Sequence, residues 1–357
     1  MRYICTSIVA TLALVGTSFA ATINVPGDQP TIAAAISASS DGDVINIAAG
    51  TYNEHSLNTN GKAITIGSAS GNLDVIIDGY GGGRVFVINS YENSNTVIKD
   101  LVITGGSSSS GGGIYCQYSN PTITGCTISN NTAYNNGGGI YCYDNSNPTI
   151  SGCTISGNEA SNNGGGIFCE LSNPTISGCT IEGNTANNDG GGIYCDSSNP
   201  TISNCTIEGN TANYYGGGIF CVTSNPTISN CTIWGNTANN DGGGIYCVNI
   251  DLTISGGSVC GNSPNQTFVD ETSSITSGLC WIAESCDGNP YFVIANQQEQ
   301  INQLLTMHDQ QQSAIEELQQ VIEACCVERT CTGDENKDGV VNIEDLLIVI
   351  SVWGPCP

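Results

Sequence analysis

Oxygen-bearing side chains crowd into one short segment near the end of the chain. Hard cations such as Ca²⁺ bind several oxygen ligands on one tight turn, and Gly339 permits such a turn. The spacing therefore predicts a site for one Ca²⁺, with an acidic hairpin that binds no metal as the alternative. The predicted ligands are Asp334, Asn336, Asp338, the carbonyl of Val340, Asn342 and Asp345.

This segment resembles an EF-hand-type loop. Together with the apolar stretch from Leu346 to Trp353 behind it, it is similar to a dockerin repeat. The resemblance implies calcium binding by the ligands named above and a cohesin-like surface protein as a partner. Dockerins carry two such loops, whereas this chain carries one. Cys331 and Cys356 bracket the unit, and a disulfide between them would supplement its small core.

Two carboxylates and an indole occupy the same position in consecutive copies of a repeat. Glu182, Glu208 and Trp234 each follow a Cys-Thr-Ile tripeptide, at intervals of 26 residues. If the copies stack as neighbouring strands, the two glutamates lie about 5 Å apart. That distance is near the carboxyl separation of a retaining glycosidase, and the tryptophan could stack on a sugar ring. The three residues are thus candidates for a polysaccharide-acting site. The competing interpretation is an exposed column that tolerates any polar residue.

Cationic and imidazole side chains are absent from the repeats. No lysine or arginine occurs between Lys99 and Arg329, and the two histidines, His55 and His308, lie outside the repeats. The base or carboxylate clamp of a polysaccharide lyase is therefore missing, and a catalytic copy should break the near-identical pattern. The sequence favours a non-catalytic scaffold or a surface binding protein over an enzyme.

Paired hydroxyl side chains also recur outside the expected core. They suit an ice- or glycan-binding surface, although threonine prefers exposed strands for reasons unrelated to ligands. The pairs are Thr122 with Thr124, Thr149 with Ser151, Thr175 with Ser177, Thr201 with Ser203 and Thr227 with Ser229.

Charge and the N-terminus restrict where the protein acts. Six Lys and Arg face 32 Asp and Glu, a net charge of −26 that repels nucleic acid and anionic membranes. The apolar run from Tyr3 to Val15 and the small residues Ser18 and Ala20 of a cleavage site predict a cleaved signal peptide over residues 1–20 rather than a membrane anchor. No later stretch is long and apolar enough to span a bilayer. We therefore expect a secreted protein, extracellular or at the cell surface.

A repeat of 26 or 27 residues must position all of these side chains. Each copy has three β-like runs, and successive side chains of a strand point to opposite faces. Alternation therefore puts Ile and Cys on one face and Thr, Ser and Tyr on the other. One copy cannot bury that face alone, so stacking of copies predicts an all-β parallel β-helix with asparagine ladders at its turns. The motif Gly-Gly-Gly-Ile-(Tyr/Phe)-Cys marks the copies and ends at Cys116, Cys142, Cys169, Cys195, Cys221 and Cys247.

The residues before the repeats resemble the opening of right-handed, pectin-lyase-like β-helix proteins. A helix-like segment from Thr31 to Ile36 precedes Asp41-Gly42-Asp43 and Gly50-Thr51-Tyr52. The resemblance covers roughly residues 22–290 and implies a short helix that caps the open end of the solenoid, where an exposed edge would aggregate.

The two inward cysteine columns allow two interpretations. Stacked thiols would act as small apolar fillers, whereas disulfides within one turn would cross-link the core. The first column has six cysteines and the second has five plus Cys260, and this even match favours pairing without deciding between the two interpretations.

Residues after the repeats change in composition. A Gln-rich stretch over 291–327 predicts a helix, either a lone spacer or a coiled coil that self-associates through 298–323. The expected organisation is a signal peptide (1–20), a β-helix with an N-terminal helix cap (21–290), this helix (291–327) and the calcium-binding unit (328–357).

Overall fold

The computed structural model describes residues 20–269, 274–278 and 281–283. The chain divides into two compact units, residues 1–287 and 288–357, and all described residues belong to the first unit. The predicted signal peptide, Gln-rich helix and calcium loop lie outside the described residues.

Short parallel strands coil through the first unit. In its N-terminal turns they are β1 (Thr22–Val25), β2 (Val44–Ile47), β3 (Gly50–Asn53), β4 (Leu57–Asn58), β5 (Thr65–Ser68), β6 (Val75–Asp78), β7 (Phe86–Ile88), β8 (Val97–Lys99), β9 (Val102–Thr104) and β10 (Ser107–Ser108).

The regular repeats contribute the next twenty strands. They are β11 (Ile114–Gln117), β12 (Thr122–Thr124), β13 (Thr127–Ser129), β14 (Thr132–Ala133), β15 (Ile140–Tyr143), β16 (Thr149–Ser151), β17 (Thr154–Ser156), β18 (Glu159–Ala160), β19 (Ile167–Glu170), β20 (Thr175–Ser177), β21 (Thr180–Glu182), β22 (Thr185–Ala186), β23 (Ile193–Asp196), β24 (Thr201–Ser203), β25 (Thr206–Glu208), β26 (Thr211–Ala212), β27 (Ile219–Val222), β28 (Thr227–Trp234), β29 (Thr237–Ala238) and β30 (Ile245–Val248). The last four are β31 (Asp251–Cys260), β32 (Thr267–Val269), β33 (Ser274–Gly278) and β34 (Trp281–Ala283).

These strands form three parallel sheets, so the predicted all-β parallel β-helix is confirmed. The sheet from β4 to β32 has nine strands, one per turn. The largest sheet has 19 strands and takes two from each regular turn, while the third has six. Each regular turn thus holds four strands instead of the three predicted. The one missed is the two-residue Thr-Ala strand, which is too short to show a period.

The interior is filled as the alternation predicts. Ile114 and Cys116 on β11 are fully buried, whereas Tyr115 between them points outward, and each pairs with the same residue type one turn later. Both cysteine columns lie in the core, and their eleven members from Cys116 to Cys247 are free thiols. The columns are therefore stacked thiols that fill the core, not disulfides within one turn. Cys260 does not extend the second column, because the register pairs Cys231 with Gly257 and places Cys260 beside Trp234; Cys260 is disulfide-bonded.

A ladder of buried asparagines closes the turn between the largest and the third sheet. At each step the Oδ1 of one asparagine accepts bonds from the backbone N–H and the Nδ2 of its predecessor, at 2.9–3.0 Å. The Gln266 side chain ends the ladder by accepting from Asn262 in the same way. The predicted asparagine ladder is thus present, and its members are Asn131, Asn158, Asn184, Asn210, Asn236 and Asn262.

The triple glycine is required by close approach of neighbouring turns. A Cβ on Gly191 would lie 2.5 Å from the carbonyl oxygens of both Gly217 and Thr211. The preceding Gly190 has a φ of +67°, which side chains rarely adopt. The motif therefore records a steric demand of the stack.

A seven-residue helix, α1 (Ile32–Ala38), packs on β1, β2 and β4 at the N-terminal end. The Thr31 hydroxyl accepts a bond from the Ala34 N–H at 3.1 Å, which satisfies one donor of the first turn. Ile32 and Ile36 are buried, so the predicted helix cap is present. Across the described residues, no helix meets the length and apolarity needed to span a bilayer.

Candidate functional site

The predicted carboxylate pair lies on the outer side of the largest sheet. Glu182 ends β21, Glu208 ends β25, and the two are direct partners in register; Trp234 on β28 is the next partner after Glu208. Neighbouring strands lie about 4.8 Å apart, so the structure brings these three residues together at the expected spacing. Both glutamate side chains are half-buried, and Trp234 is 44% exposed.

Neutral side chains surround the pair. Thr180 and Thr206 point outward two residues before the glutamates, and Gly183 and Gly209 follow them with φ values of +59° and +60°. Among the described residues there is one ion pair, between Lys99 and Asp100 at 3.9 Å, and it lies in an earlier turn. The arrangement can bind hydroxyl groups or a cation, and it lacks an acid–base partner of another type.

The Thr and Ser pairs form two adjacent columns on the same sheet. Their strands, from β12 to β28, pair in perfect register, so each Thr faces a Thr of the next turn. Thr149, Thr175, Thr201 and Thr227 are exposed. The Ser151 hydroxyl donates to Thr124 Oγ1 at 3.1 Å, which links the first two turns of the array. The array is uncharged over its whole length.

An aromatic column on the nine-stranded sheet was missed by the sequence reasoning. Its rings stack with centroid separations of 4.7–5.6 Å and interplanar angles of 7–23°. The Arg84 guanidinium covers the first ring at 4.4 Å. The signal was the alternating Tyr or Phe in every Gly-Gly-Gly-Ile-(Tyr/Phe)-Cys motif. The column consists of Tyr115, Tyr141, Phe168, Tyr194, Phe220 and Tyr246.

The stacking leaves this column little capacity for sugar binding. Each inner ring has a neighbouring ring on both faces, so a sugar could meet only ring edges. The Tyr141 hydroxyl donates to the Glu170 carboxylate at 2.5 Å, and burial together with this bond raises the pKa of Tyr141. Burial likewise raises the pKa of Tyr194 and of Asp189 beside it. The column therefore stays neutral and serves to join turns.

Exposed aromatic rings are found at one turn beside the nine-stranded sheet. Tyr91 and Tyr118 stack with centroids 5.7 Å apart and are 78% and 39% exposed. Both have positive φ, at 63° and 53°. The position of Tyr118 also has a positive φ in later turns, at Leu171, Ser197 and Thr223, so the turn of the solenoid sets this conformation and the exposed rings are what distinguish the pair. The pair is a second candidate surface for a sugar ring.

No group of three His, Cys, Asp or Glu side chains is arranged to hold a metal ion within the described part of the chain. The predicted calcium ligands lie beyond that part.

Two family models match parts of the sequence. The model of the right-handed β-helix region matches residues 74–186. The model of the Chlamydia polymorphic membrane protein repeat matches residues 178–196 and 204–222. A search of the curated proteins finds no match.

A search of the solved structures finds several matches. Pectate lyase Pel9A is 15% identical with a TM-score of 0.50, over 77% of this chain and 82% of that one. ORF18 of Geobacillus virus E2 is 15% identical with a TM-score of 0.44, over 75% of this chain and 62% of that one. Pectin methylesterase PemA from Erwinia chrysanthemi is 12% identical with a TM-score of 0.38, over 76% and 91%. At these identities the likeness extends to the fold, which is a right-handed parallel β-helix of the kind found in pectate lyase.

Proposed function

We propose that this protein is a non-catalytic β-helix scaffold that binds a repetitive partner outside the cell or at its surface. The observation that carries the proposal is the identity of successive turns. From β16 to β28 the outer side of the largest sheet presents the same exposed threonine in every turn. A periodic surface offers equivalent contacts to each unit of a periodic ligand, so weak contacts add up through multivalency.

A neutral polysaccharide fits this surface best. Hydroxyl columns supply hydrogen bonds, and Trp234 and the Tyr91–Tyr118 pair supply exposed rings on which sugars stack. The net charge of −26 opposes acidic polymers such as polyuronates. The Chlamydia polymorphic membrane protein repeat matched at residues 178–196 and 204–222 supports a surface location, with another surface protein as the alternative partner.

A panel of neutral and acidic polysaccharides tests the proposal by two measurements, binding and release of reducing ends. We expect binding to neutral polymers without release, weakened several-fold by Trp234→Ala or Tyr91→Ala and unaffected by the control Tyr134→Ala, whose exposed ring lies in a different column. Absence of binding to every polymer would refute the glycan partner. Inhibition of ice recrystallisation by the same preparation would instead support the threonine array as an ice-binding face.

A glycoside hydrolase is the second candidate function. The direct register of Glu182 with Glu208, with Trp234 one turn further, is the observation that favours it. In that case the panel would show release of reducing ends, abolished by Glu208→Gln. The control Glu159→Gln alters an exposed carboxylate of another sheet and would leave turnover unchanged.

For the C-terminal segment we propose a calcium-stabilised module. Asp334, Asn336, Asp338, Asn342 and Asp345 with the Val340 carbonyl would hold one Ca²⁺, because three carboxylates on one turn repel each other without a cation. Calorimetry on the full chain should detect one site that Asp338→Ala removes. Glu335→Gln alters a carboxylate between ligand positions and should retain the site. Absence of binding at millimolar calcium would refute the module and the dockerin resemblance with it.

Secretion and assembly complete the proposal. Residues 1–20 would direct export of the chain and then be cleaved, and the helix over 298–323 would join copies of the chain or act as a spacer. Light scattering without reductant at high concentration distinguishes the two roles of the helix. Pull-down with a cohesin-like domain tests whether one dockerin-like loop is enough to dock.

A further inference from the structure

Two straight rows of thiol groups run through the core, and the proposed binding surface does not use them. The first row has one cysteine per turn on the nine-stranded sheet, and the second has one per turn on the largest sheet. All are at most 3% exposed. The first row is Cys116, Cys142, Cys169, Cys195, Cys221 and Cys247, and the second is Cys126, Cys153, Cys179, Cys205 and Cys231.

Successive thiols of one row lie on neighbouring strands and point into the same interior. Cys142, Cys169 and Cys195 of the first row are all fully buried. In the second row the backbone N–H of Cys179 donates to the sulfur of Cys205 on the next turn at 3.4 Å. The register of the strands keeps the first row straight, since Cys142 pairs with Cys169 and Cys169 with Cys195. Each gap in a row is therefore bordered by two sulfur atoms, one on either side.

The distance between successive sulfur atoms within a row matches the span of two sulfur–metal bonds in a line. Zinc–thiolate bonds are about 2.3 Å long, and with bonds of about that length a linear sulfur–metal–sulfur unit spans about 4.6 Å. Neighbouring strands are about 4.7–4.9 Å apart, which places successive sulfurs at nearly that distance. The surrounding core is rich in isoleucine, and the oxygen atoms beside the second row are backbone carbonyls, such as that of Ile150, which accepts from the Cys179 thiol at 3.6 Å. Two soft ligands in a line suit a monovalent soft cation of the Cu(I) and Ag(I) class.

Charge balance favours the same class. An isolated charge in an apolar core is costly, so a bound ion must leave the row neutral. Each monovalent ion would displace one thiol proton to solvent, which breaks one sulfur–hydrogen bond and forms one sulfur–metal bond. The sulfur of the next turn completes the pair by donating a lone pair. No electron is transferred and the net charge of the row does not change.

The geometry points to the thiol rows as binding sites for monovalent soft cations, one ion in each gap between successive cysteines of a row. Six cysteines enclose five gaps in the first row, and five cysteines enclose four gaps in the second. An interior cysteine borders two gaps and a terminal one borders a single gap. The number of ions lost on substitution therefore depends on position along the row.

Ag(I), which needs no reductant, is the probe. The full folded chain is incubated with Ag(I) to equilibrium, and native mass spectrometry counts the ions bound. Cys195→Ala in mid-row should bind two fewer ions than the unaltered chain, and Cys247→Ala at the end should bind one fewer. The control Ile193→Val, on the same strand as Cys195, should bind the same number. Cysteines outside the rows are common to all variants and cancel in the comparison.

A second measurement needs no variant. The loaded protein is denatured and alkylated, and the cysteines between 116 and 247 are mapped; silver should protect them from alkylation, whereas the unloaded protein reacts fully. Equal ion counts in the Cys195 and Ile193 variants would overturn the proposal. So would unprotected row cysteines, or binding that occurs only as the far-ultraviolet circular dichroism of the sheet is lost.

Discussion

Glu54 and Lys62 hold opposite ends of the α1 helix. The Glu54 carboxylate accepts bonds from the backbone N–H groups of Ile32 and Ala33, at 2.8 and 2.9 Å. The Lys62 ammonium donates to the carbonyls of Ile36 and Ser37, the first of these at 2.5 Å. A negative group at the N-terminus and a positive one at the C-terminus both complement the helix dipole. Both residues come from the turn that follows the helix, so the cap and the solenoid stabilise each other.

Glu54→Gln should therefore loosen the cap. One of the two bonded oxygens becomes an amide nitrogen that cannot accept, and the helix loses its negative partner, a cost of about 1–3 kcal/mol. Hydrogen exchange of the amides from 32 to 38 should speed up correspondingly. The control is Glu159→Gln, which alters an exposed carboxylate and should leave exchange in α1 unchanged. Equal hydrogen-exchange rates of the α1 amides in both variants would contradict a role of Glu54 in holding the helix.

Gly191→Ala should disrupt the stack of turns. Its Cβ would meet two carbonyl oxygens at 2.5 Å, so two backbone segments must move apart. We expect this to lower the free energy of unfolding by several kcal/mol, which is large for a single substitution. Gly183→Ala is the matched control, because its Cβ has open space and only the φ of +59° opposes it, at about 1 kcal/mol. The midpoint temperature of thermal unfolding should fall much further for Gly191→Ala than for Gly183→Ala. A larger fall for position 183 would contradict the steric explanation.

Asn184→Ala should open the asparagine ladder. The Asn184 Oδ1 accepts two bonds from Asn158, and its Nδ2 donates to Ile155 and Asn210. Each buried group left without a partner costs about 1–3 kcal/mol, so we expect a loss of at least about 3 kcal/mol. Urea unfolding checks this value, with the exposed Asn187→Ala as the control. A loss no greater than that of the control would show that the ladder contributes little.

Glu92→Gln should change how stability depends on pH. The buried Glu92 carboxylate is desolvated, which raises its pKa, but bonds from Thr59, Gly61, Ser90 and Ser119 outweigh that effect, so the pKa is lowered overall. A lowered pKa stabilises the fold above the ordinary glutamate value of about 4.3, and this contribution is lost as pH falls through the lower, folded value.

The free energy of unfolding of the unaltered chain should therefore exceed that of the Glu92 variant near pH 7, by about 1–3 kcal/mol. The difference should shrink as pH falls below the ordinary glutamate pKa. Urea unfolding at a series of pH values measures it, and Glu159→Gln again serves as the exposed control. A difference that is constant with pH would argue that the carboxylate charge of Glu92 is not what stabilises the turn.

The sequence alone determined the periodic part of this protein. A period of 26 residues and the alternation of Ile and Cys with Thr and Tyr require parallel strands stacked in register, because only that arrangement buries the same face of every copy. The register of Glu182 with Glu208, the asparagine ladder and the buried cysteine rows all follow from the same rule. Within the repeats, the place of a residue in the 26-residue unit is enough to predict its strand, the face on which it lies and its neighbours on adjacent turns.

Only the tertiary structure decided what happens where the repeat ends. Glu92 accepts a bond from Ser119, the first of a row of buried serines that continues with Ser146 on the next turn. Glu54 reaches the start of α1 across 22 residues of chain. Such contacts join segments with no shared period, so their partners depend on how the irregular turns fold back on the regular ones. The stacking of the aromatic column also required the structure. Alternation put those rings outside, and only the close approach of adjacent turns brought their faces together.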